Sequence, residues 1–217
     1  MPEPLTLAAM GGGIGVLAFY GRRYYLITKE VVDITLGAVA LILALPVMAL
    51  CAAIIKLSSR GPVLFSQVRA GQDGRLFTMY KFRTMHIGAE KGTGAVWAEE
   101  GDSRVIPTCR WMRTSHMDEL PQLFQIVSGA MSLVGPRPER PEILAKLERH
   151  YSNVRDRLAV KPGLTGLAQI RNGYDSSIEG FKHKLEADLE YIEHMSWGLD
   201  LKILAMTVTK LLDRKAR

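Results

Sequence analysis

The stretch VVDITLGAVALILALPVMALCAAII, residues 31–55, decides what kind of protein this is. Asp33 is its only charge. As a helix it would be about 37 Å long, against a bilayer hydrocarbon core of about 30 Å. A buried core helix rarely runs so far without polar relief, and a secretory leader would start earlier and end in a small-residue cleavage site. The segment is therefore expected to enter a bilayer. Pro46 sits close to its middle, where it removes a backbone hydrogen bond and bends the helix. Arg22, Arg23 and Lys29 precede the stretch, and Lys56, Arg60 and Arg69 follow it. Positive charge prefers the cytoplasmic face, so matched flanks favour a helix that dips in at Pro46 and returns; a kinked spanning helix is the open alternative.

Outward from this stretch the composition narrows the field. The chain has 217 residues, enough for one domain plus a membrane element. Lys and Arg total 28 against 22 Asp and Glu, a net charge of +6, which suits an anionic lipid surface. With 47% apolar and 23% charged residues the chain is not disordered. A mean hydropathy of +0.06 is too low for a bundle of spanning helices. Two cysteines, Cys51 and Cys109, make neither a disulfide framework nor a zinc finger, and the five histidines have no HExxH spacing. Nucleic acid is not expected as a partner, because no recognition helix, RNP-like aromatics or dense basic stripe is present.

The organisation reads as three parts. Residues 1–28 are an N-terminal extension whose glycine-rich run, residues 5–20, is too short to span and is read as surface-lying or partly inserted. Residues 29–57 hold the re-entrant helix, and residues 58–217 form the catalytic part. There, Val63-Leu64-Phe65-Ser66-Gln67-Val68 and Leu76-Phe77-Thr78-Met79-Tyr80 flank Gly71-Gln72-Asp73-Gly74, a β-hairpin with Asp-Gly in its turn. Residues 90–103 are a polar, glycine-rich loop candidate. Leu120, Leu123, Phe124 and Val127 fall at helical spacing, and Ser128-Gly129 ends that helix. Gly135-Pro136-Arg137-Pro138 is a stiff connector, residues 141–154 a polar helix, and residues 162–166 a turn. From Ile178 onward the chain is mostly helical, first charged and then apolar with a basic end. The fold class is α+β, helix-rich.

Four features could carry chemistry. In Ser115-His116-Met117-Asp118-Glu119-Leu120-Pro121, Pro121 is tolerated only in a first helical turn, so the helix begins near Asp118. Two carboxylates then lie at a helix N-terminus, which would keep Asp118 ionised and able to attack; equally, Asp118 could simply cap the helix. Arg137 is confined to extended backbone by the prolines around it and suits either a phosphate or a structural ion pair. Lys81 and Arg83 share one side of a strand, where lipid is the plainer partner. Lys161-Pro162-Gly163-Leu164-Thr165-Gly166 reads by itself as a turn.

Taken in order, these motifs resemble the bacterial sugar transferase family of monotopic phosphoglycosyl transferases, from about Lys29 to the C-terminus. The matching stretches are Pro46 in the membrane helix, Gly61-Pro62-Val63-Leu64-Phe65, and Tyr80-Lys81-Phe82-Arg83-Thr84-Met85. They continue with Arg113 ahead of Asp118-Glu119-Leu120-Pro121-Gln122-Leu123, then Met131-Ser132-Leu133-Val134-Gly135-Pro136-Arg137-Pro138-Glu139. Lys161-Pro162-Gly163-Leu164-Thr165-Gly166 with Ala168-Gln169, and Leu199-Asp200-Leu201-Lys202-Ile203, complete the match. There are departures: Leu45 stands where the family often has Ser before the proline, and Glu30 follows Lys29 where Arg is usual. His116-Met117 replaces Ser-Leu, and Cys109 replaces a common Gly. None removes a catalytic residue.

The resemblance implies transfer of a sugar-1-phosphate from a UDP-sugar to a polyprenyl phosphate, with release of UMP, in bacterial glycoconjugate synthesis. It implies Asp118 as nucleophile, Glu119 as metal-positioning or proton-accepting partner, and Mg²⁺ held at Asp118 and Glu119. Arg137 and Arg113 are the implied phosphate clamps, with Lys81, Arg83 and Gln169 as further phosphate or nucleotide contacts. Such an enzyme would sit on the cytoplasmic face of the bacterial inner membrane, on interfacial amphipathic helices, with a homodimer left open. The alternatives are a membrane-docked binding protein with a dead transferase fold, which the intact Asp118-Glu119 and Arg137 oppose, and a nucleotide hydrolase, which lacks a Walker loop or GxGxxG.

Overall fold

A computed structural model describes residues 12–89, 102–172 and 178–212. The predicted loop at 90–103 and the start of the 5–20 run lie largely outside them. The apolar stretch forms the centre of one long helix, α1 (Gly12–Ser58), which contains Pro46 and begins well before residue 29. The expected break at Pro46 is thus a missing hydrogen bond within a continuous helix, since the turns on either side complete their own bonds. Exposure sets the core-helix reading aside: only 17% of the most apolar part of α1 is buried. Val39, Ile42, Leu43 and Leu50 are all more than half exposed.

One face of α1 is used for packing. Tyr25, Lys29, Asp33, Gly37, Leu41, Ala44, Met48, Cys51 and Ile55 recur every three or four residues and touch the rest of the protein along it. This stripe covers about 45 Å of helix. Gly37 permits the closest approach, because a Cβ there would lie 2.7 Å from Ile126 Cγ2.

The predicted hairpin is present. Strands β1 (Leu64–Ala70) and β2 (Leu76–Phe82) pair antiparallel, with Leu64 opposite Phe82 and Ala70 opposite Leu76. Asp73 and Gly74, with φ of 55° and 75°, turn the chain between them. Next come α2 (Arg110–Thr114), a 3₁₀ segment (Met117–Gln122) and α3 (Leu123–Val127), which stops at Ser128-Gly129 as expected. The remainder comprises β3 (Ser132–Val134), α4 (Pro141–Leu147), a further 3₁₀ segment (Val154–Ala159), β4 (Gly163–Thr165), α5 (Leu167–Asn172), α6 (Ile178–Glu193) and α7 (Trp197–Leu212). The architecture is helix-rich α+β.

Two local expectations are corrected. The polar helix predicted over 141–154 ends at Leu147, because the chain must reverse for Val154 and Leu158 to join Leu144 and Leu147 in one core cluster. The turn predicted at 162–166 contains β4, paired parallel to β3 through Ser132–Gly163 and Val134–Thr165. Glycine makes that pairing feasible: a Cβ at Gly163 or Gly166 would collide with the Gly135 backbone.

A buried polar cluster fastens α1 to this body. Lys29 Nζ lies 2.7 Å from Asp200 Oδ2, and Tyr25 and Tyr191 each donate to Asp200 at 2.8 Å. Ser132 Oγ donates to Asp33 at 2.6 Å. Helix α7 is amphipathic, burying Ile203 while exposing Leu201, Met206, Val208 and Leu211.

Candidate active site

The Asp118-Glu119 pair is presented by a 3₁₀ turn between two short helices. His116 adopts left-handed backbone (φ 56°), which turns the chain out of α2, and Pro121 fits the early turn as predicted. No side chain caps the segment at its start, so Asp118 is not the helix cap that the residues alone left open. Leu120 and Met117 pack with Cys51, Ile55, Cys109 and Met112, which fixes the turn against the C-terminal part of α1.

The two adjacent carboxylates have opposite surroundings. Glu119 Oε1 accepts from Lys81 Nζ at 2.6 Å and from Arg137 Nη2 at 2.5 Å, while Oε2 lies 3.3 Å from Arg137 Nη1. Burial alone would raise its pKa, but Arg137 and Lys81 overcome that and hold Glu119 well below the usual carboxylate range. Asp118 is only 8% exposed, and no hydrogen bond to its carboxylate occurs among the described residues. Burial, and then the Glu119 charge, push its pKa up to about 6 against Lys81, Arg113 and Arg137. Burial thus raises the Asp118 pKa despite its place at the start of the turn, but at pH 7 the anion still predominates, in line with the expectation that Asp118 is ionised at neutral pH.

Lys81, Arg137 and Glu119 thus form one ion-paired group, and Arg113 is near enough to act on Asp118 by its charge. Arg83 is turned elsewhere. Its guanidinium donates to the carbonyls of Ser59 and Arg60 at 3.1 and 3.0 Å, closing the end of α1. Gln169 lies on α5, donating to the Leu164 carbonyl at 3.1 Å, with no described contact to the carboxylate pair.

For a metal, the described residues bring together no group of three or more His, Cys, Asp or Glu side chains. Two adjacent hard carboxylates, one without a hydrogen-bond donor, fit a Mg²⁺ ion that completes its shell with water and substrate phosphate.

Sequence reasoning passed over Arg157, which is 3% exposed, pairs with Asp188 and donates to the Arg137 carbonyl at 2.8 Å. The available signal was its place between Val154 and Leu158, positions spaced to face a helical core. It likewise missed the partner that Asp200 finds in Lys29.

A family model described as bacterial sugar transferase matches residues 24–214. The UDP-glucose:undecaprenyl-phosphate glucose-1-phosphate transferase of Xanthomonas campestris pv. campestris is 37% identical over 195 residues, 89% of this chain and 40% of the relative. The UDP-N-acetylgalactosamine-undecaprenyl-phosphate N-acetylgalactosaminephosphotransferase of Aeromonas hydrophila is 38% identical over 188 residues, 87% and 44% of the two chains. A UDP-glucose:undecaprenyl-phosphate glucose-1-phosphate transferase of Caulobacter vibrioides is 40% identical over 186 residues, 85% and 69% of the two. The chain spans less than half the length of the first two relatives. The family match nonetheless takes in the long apolar helix from Tyr24, both carboxylates and every cation of the site, and the chain belongs to the bacterial sugar transferase family.

Proposed function

We propose that this protein transfers a sugar-1-phosphate from a UDP-sugar to a polyprenyl phosphate and releases UMP, through a phosphosugar ester on Asp118. The observation that carries the reading is the asymmetry of the carboxylates. Asp118 has lone pairs that no donor among the described residues occupies, whereas Glu119 is engaged by two cations. Asp118 Oδ attacks the β-phosphorus, the bond from that phosphorus to the bridging oxygen breaks, and UMP leaves with the bridging oxygen. A phosphate oxygen of the polyprenyl phosphate then attacks the same phosphorus, and Asp118 leaves as carboxylate.

Glu119 is too strongly held as an anion to serve well as a base. It keeps Lys81 and Arg137 beside the nucleophile, ready to bind the incoming phosphates. Asp118 and Glu119 would hold Mg²⁺, which supplies charge neutralisation between two anionic reactants. The curated relatives divide in their names between UDP-glucose and UDP-N-acetylgalactosamine, so the proposal is made for the UDP-sugar class. A dead transferase fold would not need this complete set of charged groups.

The site belongs at the headgroup plane, where the acceptor's phosphate lies. Same-face membrane association is supported by α1 itself, whose stripe from Tyr25 to Ile55 touches one body at both ends. A helix so bound does not readily deliver its ends to opposite faces of a bilayer. We place the body on the cytoplasmic face of the bacterial inner membrane; periplasmic labelling of a cysteine introduced at position 23 or 60 would overturn this.

The reaction is tested with the full chain in detergent micelles. It should exchange labelled UMP into a UDP-sugar without acceptor, and intact mass should show one sugar-phosphate added at Asp118. Turnover without exchange would refute the covalent route, and an adduct on Glu119 would refute Asp118 as its nucleophile.

A further inference from the structure

Arg137 sits in a segment whose backbone is gripped at every residue. Gly135 N–H donates to the Thr165 carbonyl at 2.9 Å, and Gly163 N–H donates to the Pro136 carbonyl at 2.9 Å. Arg157 Nη2 donates to the Arg137 carbonyl at 2.8 Å, Arg69 Nη1 to the Pro138 carbonyl at 2.9 Å, and Ala70 N–H to the Glu139 carbonyl at 2.9 Å. Two of these donors are cations, and the one at Arg137 itself is buried.

Arg157 is held on three sides. Its Nε and Nη2 reach Asp188 Oδ2 at 3.0 and 2.6 Å, and its guanidinium carbon lies 5.4 Å from the centre of the Phe181 ring. Asp188 is 2% exposed. A buried ion pair is a poor way to stabilise a core, because desolvating both charges offsets most of their attraction. Apolar residues would serve the surrounding cluster of Ile143, Leu147 and Phe181 at least as well. What they would not supply is a donor to the Arg137 carbonyl at a fixed point. Arginine suits this role because one planar head can bond the carboxylate and the carbonyl together, which a lysine ammonium on a flexible stem does not reproduce.

We propose that Arg157, oriented by Asp188, is a positioning residue that sets the Arg137 backbone so that its guanidinium meets the phosphates, and that it acts on the reaction only through Arg137. The inference rests on the reading of Arg137 as a phosphate clamp.

A double-mutant cycle on the full chain in detergent tests it, with kcat/KM for UDP-glucose and the dissociation constant of UDP measured side by side. Arg137→Lys and Arg157→Lys should each lose about tenfold in both quantities. The double variant should lose no more than Arg137→Lys alone. Losses that multiply to about a hundredfold, or Arg157→Lys within twofold of wild type, would overturn the proposal. If Arg157→Lys fails to fold, Asp188→Asn takes its place, with a smaller loss that Arg137→Lys again absorbs. Loss of folding in both would make the pair a core strut and overturn the proposal too. The UDP arm separates the two readings. Non-additive UDP binding without sugar-phosphate transfer would sink the reaction and keep the positioning role, and active enzyme with multiplying losses would do the reverse.

Discussion

Replacing Asp118, the proposed nucleophile, should make the protein more stable, by an amount that depends on pH. An Asp carboxyl ordinarily titrates near 3.8, whereas burial and the Glu119 charge push Asp118 to about 6. At about 1.36 kcal/mol per pH unit, ionised Asp118 destabilises the fold by about 3 kcal/mol. The sign follows from proton uptake: between about pH 3.8 and pH 6 the folded state binds more protons at this site than the unfolded state. Stability therefore falls as pH rises through that window, and the full penalty is present above it. Asp118→Asn removes the charge while nearly conserving shape. Its gain at pH 7.5 should be about 2–3 kcal/mol, the lower figure allowing for burial of the amide, and should fade below pH 4. For a chain of this length that is a rise in Tm of about 4–12 °C. Melting curves of wild type and variant in the same detergent, from pH 4 to pH 8, measure it directly. A variant less stable than wild type at pH 7.5, or a gain independent of pH, would refute the account of Asp118 as a buried, unsupported charge. Turnover should vanish in the same variant, since the amide is a poor nucleophile.

Three further outcomes follow from the same site. The kcat/KM for the UDP-sugar should fall on acidification with a midpoint near pH 6 as Asp118 takes up its proton, and a flat profile between pH 5 and pH 8 would contradict the assignment. Glu119→Gln removes the carboxylate charge that Lys81 and Arg137 share, so stability should drop by about 3 kcal/mol, as when one partner of a buried ion pair is removed. That variant should turn over slowly yet still carry its adduct on Asp118 in a peptide map; an adduct mapped to Glu119 in the unaltered protein would make Glu119 the nucleophile. EDTA should abolish UMP release and added Mg²⁺ restore it, whereas full activity in EDTA would rule the metal out.

Much of this molecule was legible in local sequence. The apolar run around Pro46, the Asp-Gly hairpin, the helix start imposed by Pro121 and the ordered motifs of the family each depend on residues close together in the chain. Backbone preference and hydrophobic periodicity act at that range, so they could be read directly. The two carboxylates were visible for the same reason, and so was the stiffness of Arg137 between its prolines.

The division of labour within the site was decided elsewhere. Asp118 and Glu119 are neighbours with the same chemistry, and no local rule tells them apart. They differ because β2 brings Lys81, and the Gly135–Glu139 segment brings Arg137, to one carboxylate and not the other. Arg83 shared a strand face with Lys81 on paper, yet the end of α1 supplies carbonyls that claim its guanidinium. Strand β4 read as a turn because its partner lies some thirty residues away. Lys29 and Asp33 meet Asp200 and Ser132 only once α7 and β3 fold back onto α1. Sequence by itself determined which elements form, because those energies are local. Tertiary structure alone decided which charges are desolvated and which are paired, since Coulomb and burial energies depend on distances that the chain order does not contain.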